Sequence, residues 1–134
     1  MKSLPHSLCP CHSGKPYKTC CQPLHKGAAA ATPEALMRSR YSAYALNLAD
    51  YIIQTTHPDG EHYQADRAAW TREVELFCKN TRFEGLHIMA AHADMVTFRA
   101  TLFANQRNVS FTEISLFRRH NGRWTYFSGT PVGR

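Results

Sequence analysis

Four of the chain's five cysteines fall within thirteen residues, as Cys9-Pro-Cys11 and Cys20-Cys21. Two close pairs of thiols separated by a short loop constrain the fold more than any other feature of the sequence. Thiolates are soft ligands that suit Zn²⁺, which takes a closed tetrahedron of four in a structural site. The residues between the pairs, His12 to Thr19, include Gly14 and Pro16, which help a short chain reverse direction. A module this small cannot bury a core, so bound metal must supply its folding free energy. With four sulfurs present, His12 and His25 are not needed as ligands, and a closed four-sulfur site leaves no open position for hydrolytic chemistry.

Disulfides are the competing use of these cysteines. The segment Met1 to Leu8 contains Pro5 and His6 and no apolar run, so no secretory signal is expected and the cytoplasm is the expected compartment. There thiols stay reduced, and clustered cysteines more often bind metal. A bridge between adjacent Cys20 and Cys21 would also be strained. The alternatives left open are a redox-active thiol cluster and a site for an ion other than Zn²⁺.

The run from Cys9 to Cys21, C-P-C-H-S-G-K-P-Y-K-T-C-C, resembles the SEC-C motif, the zinc knuckle at the C-terminus of the SecA preprotein translocase. Leu36-Met-Arg-Ser-Arg-Tyr-Ser-Ala-Tyr44, Thr56-His-Pro58 and Arg123-Trp-Thr-Tyr-Phe-Ser-Gly129 resemble the YchJ family of small bacterial proteins. The family usually has glycine after the second cysteine, where this chain has His12. Some members also carry a second cysteine cluster after the last strand, which these residues lack. The resemblance implies a zinc knuckle over residues 1–26 and a nuclear transport factor 2-like, cystatin-like domain over residues 33–134. It implies no established activity. The SecA likeness implies a protein partner, such as a chaperone, the translocation machinery or the ribosome.

A chain of 134 residues has room for one ordinary domain plus a small module. No apolar run approaches the length of a membrane span. The formal net charge is +6, and residues 1–33 hold Lys2, Lys15, Lys18 and Lys26 with no acid. Four thiolates and one Zn²⁺ would lower that module from four positive charges to about +2. The high isoelectric point is therefore weak support for nucleic-acid binding. A modest basic face remains, suited to acidic protein surfaces or phosphates.

Beyond an alanine-rich linker, Thr32-Pro33 reads as a helix start, with Thr as N-cap and Pro at the first helical position. Leu36 or Met37, then Tyr41, Tyr44 and Leu48, recur at helical spacing. A second short helix is expected over 49–56 and a third over 66–81, the latter with Trp70, Val74, Phe77 and Cys78 on one face. His57 is expected to cap a helix end, and Asp59-Gly60 to turn the chain. After Gly85 the period becomes two, predicting strands at 86–92, 96–103, 109–117 and 124–128. Asn105–Asn108 and Asn121-Gly122 fit hairpin turns. Helices followed by an antiparallel meander give α+β. The third of these strands has no cleanly polar face, so both sheet faces are expected to be covered, one by helices and the other by the knuckle or another subunit.

Strand alternation puts Glu113 on the same face as Phe111 and Phe117, hence toward the core. A buried carboxylate needs donors, and Arg38 or Arg40 of the first long helix are the expected ones. Two functions are compatible with these features. In one, the knuckle docks a protein partner through Lys15, Tyr17 and Lys18, which lie between the ligand pairs. In the other, a pocket around Glu113 binds a small molecule or performs acid–base chemistry. No catalytic motif is resolved. A filled core would favour docking, and an open cavity with convergent polar groups would favour the pocket.

Overall fold

The computed structural model describes residues 7–133. Along the chain come a cysteine-bearing turn module, a set of helices, and an antiparallel sheet. In the module, Leu8 and Pro16 form an isolated bridge, and a 3₁₀ turn (Tyr17–Thr19) leads into α1 (Gln22–His25). The helices are α2 (Pro33–Ala45), α3 (Ala49–Gln54) and α4 (Arg67–Lys79). The strands are β1 (Thr81–His92), β2 (Met95–Ala104), the two-residue β3 (Arg107–Asn108), β4 (Phe111–His120) and β5 (Arg123–Pro131). The sheet order is β1-β2-β4-β5, with β3 beside β2, and every strand pairing is antiparallel. The class is α+β. Among the described residues no helix is long and apolar enough to cross a membrane.

α2 begins where its cap residues stand: Thr32 Oγ1 accepts from the Ala35 amide at 3.1 Å, and Pro33 comes next. It ends as Asn47 takes a left-handed φ of 59° and the Leu48 amide reaches back to the Ala43 carbonyl. The helix is covered on nearly all sides. Leu36, Met37 and Tyr41 pack on the sheet with Val96, Phe98, Leu102 and Phe117. The opposite face carries Ser39, Ser42 and Ala43, small residues fully withdrawn from solvent. Ala43 belongs to a second cluster with Ile52, Ile53, Trp70, Val74 and Cys78, which joins α2, α3 and α4.

Two β-bulges interrupt β1, between Phe83 and Gly85 and between Ile88 and Ala90, and a third irregularity lies at Leu116/Phe117. Bulges bend a strand and increase its twist, so the sheet curves over α2. They also explain a difference from the sequence reading. β1 starts at Thr81, not after Gly85, because the first bulge puts Phe83 and Leu86 on one face at a spacing of three and hides the period of two. β4 starts at Phe111; Val109 lies outside it, where the Ser110 hydroxyl receives the Leu102 amide at 2.9 Å and breaks the run. Both expected turns are present with left-handed residues, at Asn105-Gln106 and at Asn121-Gly122.

Other expectations need correction. The knuckle does not cover the outer sheet face; it lies against α2, on the helix side. On the outer face the Arg118 guanidinium lies 4.0 Å from the Phe127 ring centroid and that of Arg82 5.4 Å from Phe103. His57 caps no helix. Its Nδ1 accepts from the Asp59 amide at 3.0 Å, while its own amide donates to the Tyr126 carbonyl at 2.9 Å. Thr56 and Tyr126 form a parallel bridge, so the segment after α3 protects the β5 edge. α4 runs from Arg67 with Asp66 as its N-cap, and it buries Trp70, Val74 and Cys78. Phe77 is 40% exposed, because the space between α4 and the sheet is not filled.

Candidate functional site

The four clustered cysteines meet. Their sulfurs all lie within 4.8 Å of one another, and Cys9, Cys11 and Cys21 are buried. Short backbone links build the site. The Cys9 amide donates to the Lys15 carbonyl at 2.8 Å and the His12 amide to the Cys9 carbonyl at 3.1 Å, which folds the first pair into a tight turn. The Cys20 amide donates to the Tyr17 carbonyl at 3.0 Å, which sets the second pair on the 3₁₀ turn. His12 and Gly14 have φ values of 63° and 86°. The position usually held by glycine in related motifs is thus a left-handed one, which histidine occupies here at some cost.

The sulfurs fit a metal. A tetrahedron with metal–sulfur bonds of about 2.3 Å has edges of about 3.8 Å, and the Cys11–Cys20 sulfur separation is 3.6 Å. Without a cation, four packed thiols cannot all ionise. Hydrogen bonds from Cys21 and Cys9 hold Cys11 well below the ordinary thiol range, while bonding to Cys11 pushes both Cys21 and Cys9 above it. A divalent cation removes that conflict by stabilising all four thiolates. The cluster is a candidate metal site in which four engaged sulfurs complete the coordination.

The knuckle is clasped to the body through His25, Tyr17 and Arg38. His25 Nε2 lies 2.8 Å from the Ser39 carbonyl oxygen, and Nδ1 lies 2.7 Å from the Tyr17 hydroxyl. A carbonyl only accepts, so Nε2 carries the proton and Nδ1 accepts from Tyr17. Burial lowers the His25 pKa, consistent with a neutral ring. Arg38 belongs to this junction and not to the pocket expected for it: Nη1 donates to the Cys11 carbonyl at 3.2 Å and Nε to Glu34 at 3.2 Å. Of the three residues expected to project from the loop, Lys15 and Lys18 are exposed, while Tyr17 is half-buried against His25.

A second site lies between the sheet, α2 and α4. It is a cavity of about 360 Å³. Phe98, Ala100, Phe117 and Tyr126 form its floor, Arg40, Tyr41 and Tyr44 of α2 one wall, and Trp70, Val74 and Phe77 of α4 the other. Its rim carries His62, Gln64 and Glu73, all on or near α4. Glu113 and Arg40 both line it. Glu113 Oε2 accepts from the Ser115 hydroxyl at 2.5 Å and from the Tyr126 hydroxyl at 3.1 Å. The carboxyl group lies directly over Gly129, where an added Cβ would collide with it and with the Tyr126 hydroxyl. Arg40 Nη1 donates to the Ile52 carbonyl, Thr55 Oγ1 and Thr56 Oγ1 at 3.0, 2.7 and 3.3 Å. Its guanidinium sits 4.9 Å from the Tyr126 ring centroid. Burial raises the Tyr126 pKa, and the Glu113 charge raises it further, so the phenol stays protonated and donates. Burial likewise pushes Tyr41 up to about 12, while its hydroxyl donates to the Gly85 carbonyl at 2.9 Å. Tyr126 and Gly129, which organise the cavity, lie in the last strand. The alternation of Trp124 and Tyr126 marks which way Tyr126 faces, but nothing local shows that it reaches Glu113.

The comparisons with known proteins agree with this layout. Residues 32–129 match the family model described as YchJ, middle NTF2-like domain, and residues 7–23 match the SEC-C motif. The chain is 42% identical to the UPF0225 protein of Sodalis glossinidius over 94% of this chain and 84% of that protein. It is also 42% identical to a UPF0225 protein of Deinococcus radiodurans, over 91% of this chain and 88% of the relative. Among solved structures, the solution structure of a SEC-C motif containing protein from Rhodopseudomonas palustris is 36% identical. It superposes with a TM-score of 0.76, covering 93% of this chain and 98% of that one. The crystal structure of a SEC-C motif containing protein from Psychrobacter arcticus shares the fold at a TM-score of 0.71 and 24% identity, covering 94% and 83% of the two chains. A four-cysteine turn module clasped to a helix-and-sheet domain, matched along nearly its whole length, places this chain in the UPF0225 family of YchJ-like proteins, which join a SEC-C motif to an NTF2-like domain.

Proposed function

We propose that the chain is a small-molecule-binding protein. In this reading the NTF2-like body holds the ligand, and the knuckle binds Zn²⁺ as a structural clasp on α2. The observation that carries it is the cavity, with a fixed carboxylate and a guanidinium converging on a largely aromatic enclosure. Apolar clefts of a few hundred Å³ with a small number of placed polar groups are the usual form of a ligand site. Zn²⁺ is favoured at the knuckle because four thiolates in a closed set suit it and leave it no catalytic position. A fragment screen by NMR on the metal-loaded full chain tests the pocket. Binders should shift the amides of Tyr44, Phe98 and Tyr126, and Ala100→Phe, which intrudes on the floor, should abolish the shifts. A screen in which no fragment moves these amides would overturn the reading.

A second reading has its own observation. Lys15 and Lys18 are exposed, and neither forms an ion pair among the described residues. They offer positive charge on a rigid loop to an acidic protein surface. Under this reading the double substitution Lys15→Glu and Lys18→Glu abolishes capture of a protein partner with zinc content unchanged. Unaltered capture by the double variant would remove the lysines from the docking surface.

A further inference from the structure

The class of ligand, which rests on the pocket reading, is decided by two opposite charges that line the cavity without neutralising each other. Neither Arg40 nor Glu113 forms an ion pair among the described residues. Arg40 is 8% exposed, and its Nη1 is met by neutral acceptors only. Both hydrogen bonds to Glu113 arrive at Oε2, which leaves Oε1 without a hydrogen bond among the described residues. The Tyr126 phenol stands between the two poles. Its ring faces the guanidinium at 4.9 Å from the centroid, and its hydroxyl reaches Glu113 at 3.1 Å. The tyrosine holds the charges apart within one enclosure, with Gly129 giving the carboxyl room to lie against β5.

Sign decides what fits. Buried charges are stabilised by close opposite charge, and one left without a partner is costly. An anion alone would satisfy Arg40 but be repelled by Glu113. A cation alone would satisfy Glu113 but be repelled by Arg40. A neutral apolar molecule would fill the aromatic enclosure and leave both poles unmet. The other charged lining groups do not alter this balance. Glu73 sits at the rim, accepting from Gln64 at 2.8 Å, and His62 is beside exposed Glu61. From these observations we infer that the cavity takes a small zwitterion with an apolar body, of the α-amino-acid type. Its carboxylate faces Arg40, its ammonium faces Glu113 Oε1, and its side chain packs among Tyr44, Phe98 and Phe117.

Titration of the metal-loaded full chain with four probes, monitored by calorimetry and by amide shifts, tests the inference. The probes are L-phenylalanine, phenethylamine, 3-phenylpropanoate and toluene. Phenethylamine lacks the carboxylate, 3-phenylpropanoate lacks the ammonium, and toluene lacks both. L-phenylalanine should bind at the cavity about tenfold or more tighter than either half-ligand, the size expected for losing a charge-assisted hydrogen bond. Glu113→Gln, which keeps the side chain's shape, should weaken L-phenylalanine about tenfold and leave 3-phenylpropanoate unweakened. Equal affinity for L-phenylalanine and either half-ligand overturns the zwitterion, as does L-phenylalanine shifting amides away from the cavity. Toluene bound in the cavity with no charged probe binding would leave the pocket reading standing and sink this inference alone. If none of the four probes moves a cavity amide, the zwitterion inference falls, and the fragment screen alone decides the pocket reading.

Discussion

His25 Nε2 donates to the Ser39 carbonyl at 2.8 Å, so one imidazole joins the cysteine module to the central helix. The same ring accepts from the Tyr17 hydroxyl on its other nitrogen and packs edge-on to Tyr51, with centroids 4.8 Å apart. The Ser39 hydroxyl in turn lies 2.7 Å from the Tyr51 hydroxyl. Knuckle, α2 and α3 therefore meet at one neutral histidine.

His25→Ala is expected to destabilise the protein by about 1–3 kcal/mol, since it removes the hydrogen bonds to the half-buried Tyr17 hydroxyl and to the Ser39 carbonyl, which keeps only the Ser42 hydroxyl at 3.1 Å as a side-chain donor. Hydrogen exchange should rise first in the amides of Cys20 and Cys21 and then along the 3₁₀ turn. Unchanged protection there would mean that the imidazole does not hold the knuckle to α2.

The pH dependence has a definite sign. The folded-state pKa of His25 is lowered, chiefly by burial, so the unfolded chain binds its proton more readily. The contribution is fully present above the unfolded value of about 6.5 and is lost as pH falls from there through the folded value. Thermal unfolding measured downward from neutral pH should show this loss in the wild type and its absence in His25→Gln. Parallel curves for the two proteins would rule the histidine out as the source.

Cys20→Ser should remove the proposed metal site and unfold the knuckle while leaving the body's cooperative transition in place. The reason is that neither large apolar cluster includes a knuckle sulfur. Native mass spectrometry reports the metal, and hydrogen exchange reports which amides lose protection. Loss of protection throughout the sheet would show that body and knuckle fold as one unit.

Gly129→Ala is expected to cost about 1–3 kcal/mol, because the new methyl meets the Glu113 carboxyl and the Tyr126 hydroxyl in a packed strand. Gly85→Ala is the control: its Cβ would make ordinary contact with Thr101 at 3.5 Å. Equal melting temperatures for the two variants would mean that the Glu113 carboxyl swings clear of the new methyl at little cost and is not fixed in the cavity.

His12→Gly should keep the metal and stabilise the knuckle by up to about 1 kcal/mol, because glycine accepts the 63° φ without the Cβ clash. Metal-release rates against a strong chelator would show it. Faster release in the variant would mean that the His12 edge contact with Tyr41, at 5.8 Å, outweighs the backbone strain.

Features whose causes are local were legible in the chain before any tertiary contact was known. Cys9, Cys11, Cys20 and Cys21 declare a ligand set because thiol chemistry and close spacing leave few other uses for them. Thr32-Pro33 declares a helix start, and Asn121-Gly122 a hairpin, because capping and left-handed turns need particular residues in particular places. Strand alternation was enough to turn Glu113 toward the interior. It could not show the partner: Tyr126 arrives thirteen residues later and across the β4–β5 pairing, in a register interrupted at Leu116/Phe117. Arg38 and Arg40 are two residues apart on one helix and equal candidates on paper. Their separation around the helix axis sends Arg38 to the Cys11 carbonyl and Arg40 into the cavity, and only the placement of the knuckle on one flank of α2 and the sheet on the other decides which goes where. The same packing turned Tyr17 inward, left Phe77 at a cavity mouth, and set the knuckle on the helix side and not on the outer sheet face. Such outcomes depend on distances between segments far apart in the chain, which local chemistry does not encode.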